Sequence, residues 1–171
     1  MQVDCARLVL LAVCAPMMDI TRELIAYAAL LPAEGRLLGL DPGSETIGVA
    51  MCDGGRTIAS PLMLIERRKQ SLDILALGEC IADYAICGLV IGYPLNMDGT
   101  EGPRCQSVRA FSRALWEAFK LPILLADERM STMAVNRMMI DEIDMTRQKR
   151  AKNVDKLAAT YLLQGTLDSL R

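Results

Sequence analysis

Three acidic positions, far apart in the chain, carry the chemistry this sequence can offer: Asp41, the adjacent pair Asp127 and Glu128, and Asp155. Asp41 closes an apolar run and precedes Pro42-Gly43, while Asp127 and Glu128 follow the run Pro122 to Ala126. Asp155 stands three, four and seven residues ahead of Ala158, Ala159 and Leu162, so its charge shares a helical face with a small apolar stripe. Carboxylates drawn to one point repel and raise one another's pKa. A divalent cation relieves that conflict, and Mg²⁺ or Mn²⁺ suits such oxygen ligands. Two ions about 3.5–4 Å apart activate a water and stabilise the leaving oxygen of a phosphodiester. Plainer readings stand beside this one. Asp is common in turns, Asp127 and Glu128 suit a helix start before Ser131, and Asp155 suits the first turn of a helix. If the strand continues through Asp127 and Glu128, they point to opposite faces and at most one joins a site.

Other residue types narrow the chemistry. Histidine is absent, which removes Ser-His and Cys-His catalysis and histidine-ligated metals. The six cysteines form no C-x-x-C pair and no zinc spacing, and read as small buried hydrophobes kept reduced. A net charge of -2 does not draw the whole chain to nucleic acid, so polyanion binding needs a local patch. Arg147, Lys149, Arg150, Lys152 and Lys156 surround Asp155 and offer one, with a solvated basic face as the alternative. Arg109 and Arg113, one helical turn apart, are a weaker extension of such a track. The loop Gly92 to Pro103 follows a buried strand, where α/β proteins gather ligand contacts. Its Asn96 and Gly99 permit close backbone approach.

The elements that must position these residues follow from periodicity. A strand from Arg36 ends at Asp41. Pro42-Gly43 then predicts a turn with positive φ at Gly43. Thr46 to Cys52 and Thr57 to Ile65 read as two further strands about an Asp53-Gly54-Gly55 turn, giving a three-stranded antiparallel meander. The pattern then alternates: helix Ser71 to Tyr84, buried strand Gly88 to Tyr93, helix Cys105 to Phe119, buried strand Pro122 to Ala126, helices Ser131 to Ile140 and Ala151 to Leu170. This order predicts an α/β fold with a mixed five-stranded sheet flanked by helices, as in ribonuclease H-like proteins. Residues 36–171 form the predicted domain, and residues 1–35 an N-terminal extension. Within the extension Asp19 is expected to cap a helix over 19–31, with Ile20, Leu24, Tyr27 and Leu31 on one face. Residues 1–16, apolar but with a poor basic n-region, read as an upstream segment rather than a signal peptide. No later apolar run approaches the about 18–20 residues of a membrane span.

Four motifs in order carry a resemblance. Leu38-Gly39-Leu40-Asp41-Pro42-Gly43-Ser44-Glu45-Thr46-Ile47-Gly48-Val49-Ala50 looks like the opening motif of the YqgF/RuvX family. Val90-Ile91-Gly92-Tyr93-Pro94-Leu95-Asn96-Met97-Asp98-Gly99-Thr100-Glu101-Gly102 resembles its second, Asp127-Glu128-Arg129-Met130-Ser131-Thr132 its third, and Asn153-Val154-Asp155-Lys156-Leu157-Ala158-Ala159 its fourth. The resemblance covers residues 36 to 168. It implies a ribonuclease H-like domain related to Holliday junction resolvases, with a role in processing the 5′ end of pre-16S ribosomal RNA in the bacterial cytoplasm. Asp41, Glu128 and Asp155 carry over as catalytic and metal-binding acids for Mg²⁺ or Mn²⁺. Gly43, Asn96, Gly99, Arg129, Ser131, Thr132, Lys152 and Lys156 are the expected substrate contacts. The resolvase relatives have an acid at the end of the fourth strand, where this chain has Gly92-Tyr93-Pro94, and the family uses the Glu after the fifth strand instead. Asp98 is a spare candidate.

The implied partner is nucleic acid, foremost precursor ribosomal RNA and alternatively structured DNA, with no membrane and a monomer or weak dimer. Two alternatives keep the fold: a Holliday junction resolvase, or a non-catalytic RNA-binding assembly factor. A third, an actin- or sugar-kinase-like phosphotransferase, shares Asp41-x-Gly43-Ser44-x-Thr46 but needs two such domains, and 171 residues supply one.

Overall fold

The computed structural model describes residues 19–128 and 147–171, with the backbone alone over 147–156. Ten elements follow in order: β1 (Ile20–Thr21), α1 (Leu24–Leu30), β2 (Arg36–Pro42), β3 (Thr46–Cys52), β4 (Ala59–Glu66), α2 (Gln70–Asp83), β5 (Ile86–Tyr93), α3 (Pro103–Phe119), β6 (Ile123–Asp127) and α4 (Arg147–Ser169). The predicted helix Ser131 to Ile140 lies outside the described residues.

The sheet has strand order β1-β6-β5-β2-β3-β4. β2, β3 and β4 form the antiparallel meander, while β5 runs parallel to both β2 and β6. The central strands are buried on both faces, which is why Leu37 to Leu40, Leu89 to Ile91 and Ile123 to Leu125 read as unbroken apolar runs. Their alternation builds two cores. Leu38, Leu40, Leu89 and Ile91 face α2 and α3 with Phe111 and Leu115. Leu37, Val90 and Leu124 face the other way, with Tyr27 of α1 and Ala159, Leu163 and Leu167 of α4. Pro61 is tolerated because β4 is an edge strand and pairs with β3 across a register shift at Val49/Ala50.

The N-terminal helix is shorter than predicted. Ile20 and Thr21 pair parallel with Ile123 and Leu124, making a sixth strand, and the helix covers only Leu24–Leu30. The cause is the open edge of β6, whose backbone groups need partners. The Ile123 N–H donates to the Asp19 carbonyl at 2.7 Å, so Asp19 serves the sheet and Glu23 occupies the cap position. The first turn also departs from expectation. Gly43 is absent from the residues with positive φ, and β2 runs on through Pro42. The loop is fixed by contacts instead: the Gly43 N–H donates to the Asp41 carbonyl at 3.1 Å, and Arg67 donates to the Gly43 carbonyl at 2.8 Å. At the second turn the Asp53 carboxylate accepts the Gly55, Thr57 and Ile58 N–H groups, which delays β4 to Ala59.

α4 crosses the sheet at close range. A Cβ on Gly39 would lie 2.8 Å from Leu163 Cβ and 3.0 Å from the Ala159 carbonyl. Gln164 and Arg171 bond to Thr57 and Ala59 at the start of β4. The helix therefore runs from the end of the sheet that carries Asp41 toward the end where β4 starts. Among the described residues no helix is long and apolar enough to cross a membrane. Cys52, Cys80, Cys87 and Cys105 are free thiols, and all but Cys87 are buried.

Candidate active site

Asp41 and Glu128 meet at one end of the sheet, across the strand that separates them. β5 lies between β2 and β6, with Leu40 opposite Ile91 and Gly92 opposite Ala126. Asp41 follows Leu37 and Gly39 in the alternation that faces α4. Glu128 comes directly after β6, and its N–H donates to the Tyr93 carbonyl at 3.3 Å. Its side chain then folds over Gly92: a Cβ there would stand 2.6 Å from Glu128 Oε1, 3.1 Å from Cγ and 3.2 Å from Cδ. The missing side chain at Gly92 is what lets a carboxylate from beyond β6 approach Asp41.

Electrostatics record the encounter. The Glu128 carboxyl is pushed up to about 7, first by burial and then by the Asp41 charge. Arg104 opposes the rise, and Asp127 and a side-chain hydrogen bond with Asp41 add to it. A carboxyl raised toward neutrality beside a second carboxylate marks this end of the sheet as the candidate site.

Of the two neighbouring acids it is Glu128 that reaches Asp41. Asp127, opposite Tyr93 on β5, lines a cavity of about 580 Å³ with Arg22, Tyr93 and Leu95. Position 155 lies in α4 one turn before Ala159, on the part of the helix directed toward Asp41. The side chains of Asp155, Lys152 and Lys156, with Arg129, Ser131 and Thr132, lie outside the described residues. Among the described residues no three His, Cys, Asp or Glu side chains gather as a metal group.

The loop after β5 is a tight hairpin. Leu95 bridges Glu101, and the Asn96 N–H donates to the Thr100 carbonyl at 2.9 Å. Asn96 Nδ2 donates to Thr100 Oγ1 at 2.8 Å, and Thr100 donates twice to Asp98. Gly99 holds φ 84°, a left-handed conformation that favours glycine. Asn96, Gly99 and Asp98 thus give the loop its shape. Glu101 accepts from Arg22 at 3.3 Å and Arg109 at 2.6 Å, whose guanidinium groups lie against the buried Tyr93 ring. Arg109 is therefore committed to this cluster, which sequence patterning did not reveal. Arg104 was missed as well. Its signal is faint: Pro103 marks a helix start, and an arginine follows in the first turn, where acids are usual.

Residues 35–169 match the family described as "RuvX: Holliday junction resolvase". The chain belongs to the RuvX family. Among curated relatives of this RuvX-family chain, one from Phenylobacterium zucineum named "Putative pre-16S rRNA nuclease" is 54% identical over 150 residues, covering 87% of this chain and 96% of the relative. A protein of the same name from Rhodospirillum rubrum is 52% identical over 148 residues, covering 86% and 92%. The fold resembles that of T. thermophilus RuvC solved in complex with a Holliday junction substrate, with a TM-score of 0.51 at 10% identity, covering 79% of this chain and 95% of that one. The α/β fold read from the sequence is therefore the RuvC-like, ribonuclease H-like one, with six strands in place of five.

Proposed function

We propose that this RuvX-family protein is a metal-dependent nuclease, a hydrolase of phosphodiester bonds, that processes the 5′ end of pre-16S ribosomal RNA in the cytoplasm. The observation that carries this reading is the meeting of Asp41 and Glu128 over Gly92. The names of the curated relatives support the substrate. On this reading residues 36–171 are the catalytic domain and residues 1–35 an extension, and the protein acts as a monomer or weak dimer.

The donor set fits a hard divalent cation. Two carboxylates share a partly buried point where one of them is held near neutrality, and the ligands they offer are oxygens. Asp41, Glu128 and Asp155 would hold Mg²⁺ or Mn²⁺. Bound there, the ion supplies a water of lowered pKa and an electrophile for a phosphoryl oxygen. A cation there would favour the charged form of Glu128, so the carboxyl that burial and the Asp41 charge hold near neutrality would serve as a ligand in its ionised state. Arg104 offsets the negative charge that an anionic substrate would otherwise meet. Gly43, Asn96 and Gly99 shape the loops that flank the strand path. Arg129, Ser131, Thr132, Lys152 and Lys156 would contact the substrate backbone, as the family resemblance implies.

The test is cleavage of end-labelled precursor ribosomal RNA and of a four-way DNA junction, with Mg²⁺, Mn²⁺ or chelator, beside an Asp41→Asn control. The expected result is metal-dependent RNA cutting that a folded Asp41→Asn protein loses. Junction cutting alone would favour the resolvase activity in the family's description. Wild-type cleavage by folded Asp41→Asn would refute the site.

A further inference from the structure

A small cavity of about 180 Å³ lies directly beside the Asp41 loop, lined by Pro42, Gly43, Ser44, Arg67, Arg104 and Ser107 around an apolar floor. It is a built site. Arg67 is fixed on three sides: Nε lies 3.5 Å from the buried Asp73 carboxylate, Nη1 donates to the Gly43 carbonyl at 2.8 Å, and the guanidinium stacks on Phe111 at 5.5 Å. Asp73 therefore answers the Arg67 charge. Arg104 is different: it is exposed and forms no ion pair among the described residues. Its charge nevertheless lowers the Glu128 pKa, so the cavity it lines lies within electrostatic reach of the carboxylates. Ser44 and Ser107 add exposed hydroxyls to the rim.

We infer that this cavity is a phosphate subsite, taking one backbone phosphodiester of the substrate strand next to the scissile bond, with Arg104 as its principal ligand. The inference rests on the nuclease reading for its substrate. The chemistry needs such a group, because a strand held against two carboxylates meets repulsion that a neighbouring cation must offset. A guanidinium presents paired N–H donors that match two phosphate oxygens, and hydroxyls complete the shell. Arg67 acts as the fixed wall that holds the Gly43 carbonyl and keeps the cavity open. Asn96 and Gly99 lie outside it.

The experiment measures binding of a short 5′-hydroxyl single-stranded RNA by fluorescence anisotropy in chelator, across salt, for wild type, Arg104→Gln and Arg104→Lys. Lys120→Gln, at an exposed lysine just past the far end of α3, is the control. Arg104→Gln is expected to weaken binding about tenfold and to lower the slope of log K against log salt by about 0.7, while Lys120→Gln changes neither. Arg104→Lys restores the slope but only part of the affinity. A methylphosphonate walk along the strand should find one position that weakens wild type and leaves Arg104→Gln unaffected. Unchanged affinity and slope in folded Arg104→Gln would overturn the subsite, as would an equal loss in Lys120→Gln or binding that requires a 5′-phosphate. Cleavage by wild type is followed in parallel. Arg104-dependent binding without cleavage refutes the nuclease and upholds the subsite, and cleavage indifferent to Arg104 does the reverse.

Discussion

Replacing Gly92 with alanine perturbs the candidate site through a single methyl group. Gly92 is buried and its φ is not in the left-handed region, so alanine suits the backbone and even trims unfolded-state entropy by about 0.4–1 kcal/mol. The methyl would stand 2.6 Å from Glu128 Oε1 and 3.1 Å from its Cγ. Non-bonded carbon atoms rest at about 3.5–4.0 Å, so the Glu128 side chain must withdraw by on the order of 1 Å. What withdraws is the end of a flexible side chain, and the fold yields cheaply. The net change in stability should stay within about 1 kcal/mol, a shift in Tm of about 2–4 °C for a chain of this size.

Activity should respond far more. A displacement of about 1 Å in a reacting group costs on the order of 100-fold in rate, so kcat for RNA cleavage at saturating metal should fall by about that factor. The Glu128 carboxyl, moved from Asp41, should also titrate closer to its ordinary value, since the Asp41 charge is the second cause of its elevation. The assay pairs a thermal melt with single-turnover cleavage. A Gly92→Ala protein with wild-type Tm and wild-type turnover would refute the claim that Gly92 makes the room Glu128 occupies. An unfolded variant would refute the claim that the site can give at that point.

Gly39→Ala should behave in the opposite way: its Cβ meets Leu163 Cβ at 2.8 Å and the Ala159 carbonyl at 3.0 Å, and backbone cannot swing aside. Urea melts should show a loss of about 1–3 kcal/mol, and a loss below about 0.5 kcal/mol would contradict the close crossing of α4. The Glu128 carboxyl gives a pH dependence of defined sign. Its folded pKa of about 7 exceeds the ordinary 4.5, so the folded protein holds a proton that the unfolded chain releases between those values. In chelator this contribution to stability is fully present below about pH 4.5 and is lost as pH rises through 7. Glu128→Gln should flatten that part of the urea-melt profile, and an unchanged slope would count against the raised Glu128 carboxyl, whose first cause is burial and second the Asp41 charge.

Much of the fold was legible because central strands buried on both faces cannot alternate. Leu37 to Leu40, Leu89 to Ile91 and Ile123 to Leu125 declared themselves as unbroken apolar runs between turn residues. The segment 19–31 was misread because a stripe at Ile20, Leu24, Tyr27 and Leu31 is local information. The demand that separated Ile20 from it came from the open edge of β6, a tertiary fact. Pro42-Gly43 signalled a turn correctly, but its conformation is set by Arg67, 24 residues away, and not by positive φ. In the site, alternation alone left Asp127 and Glu128 open, and motif order named Glu128 beside Asp41. What the sequence did not contain is the room over Gly92 through which the Glu128 side chain reaches Asp41. Arg104 stayed hidden because one exposed arginine in a helix resembles any other until a cavity and a carboxylate are seen beside it.

The position of Glu128 also explains why the chain carries no acid at the end of β5. A side chain at 92 and the Glu128 carboxylate compete for one volume, since even a Cβ would come within 2.6 Å of Oε1. Only one of the two neighbouring strands can therefore supply the second carboxylate beside Asp41. Supplying it from beyond β6 takes glutamate, whose longer stem crosses the width of β5, and its Cγ and Cδ come down over Gly92. That route packs part of the carboxylate against the sheet, and burial becomes the largest cause of its raised pKa. Glycine at 92 and glutamate at 128 are thus one structural decision expressed on two strands. The elevated carboxyl follows from that geometry and needs no separate device.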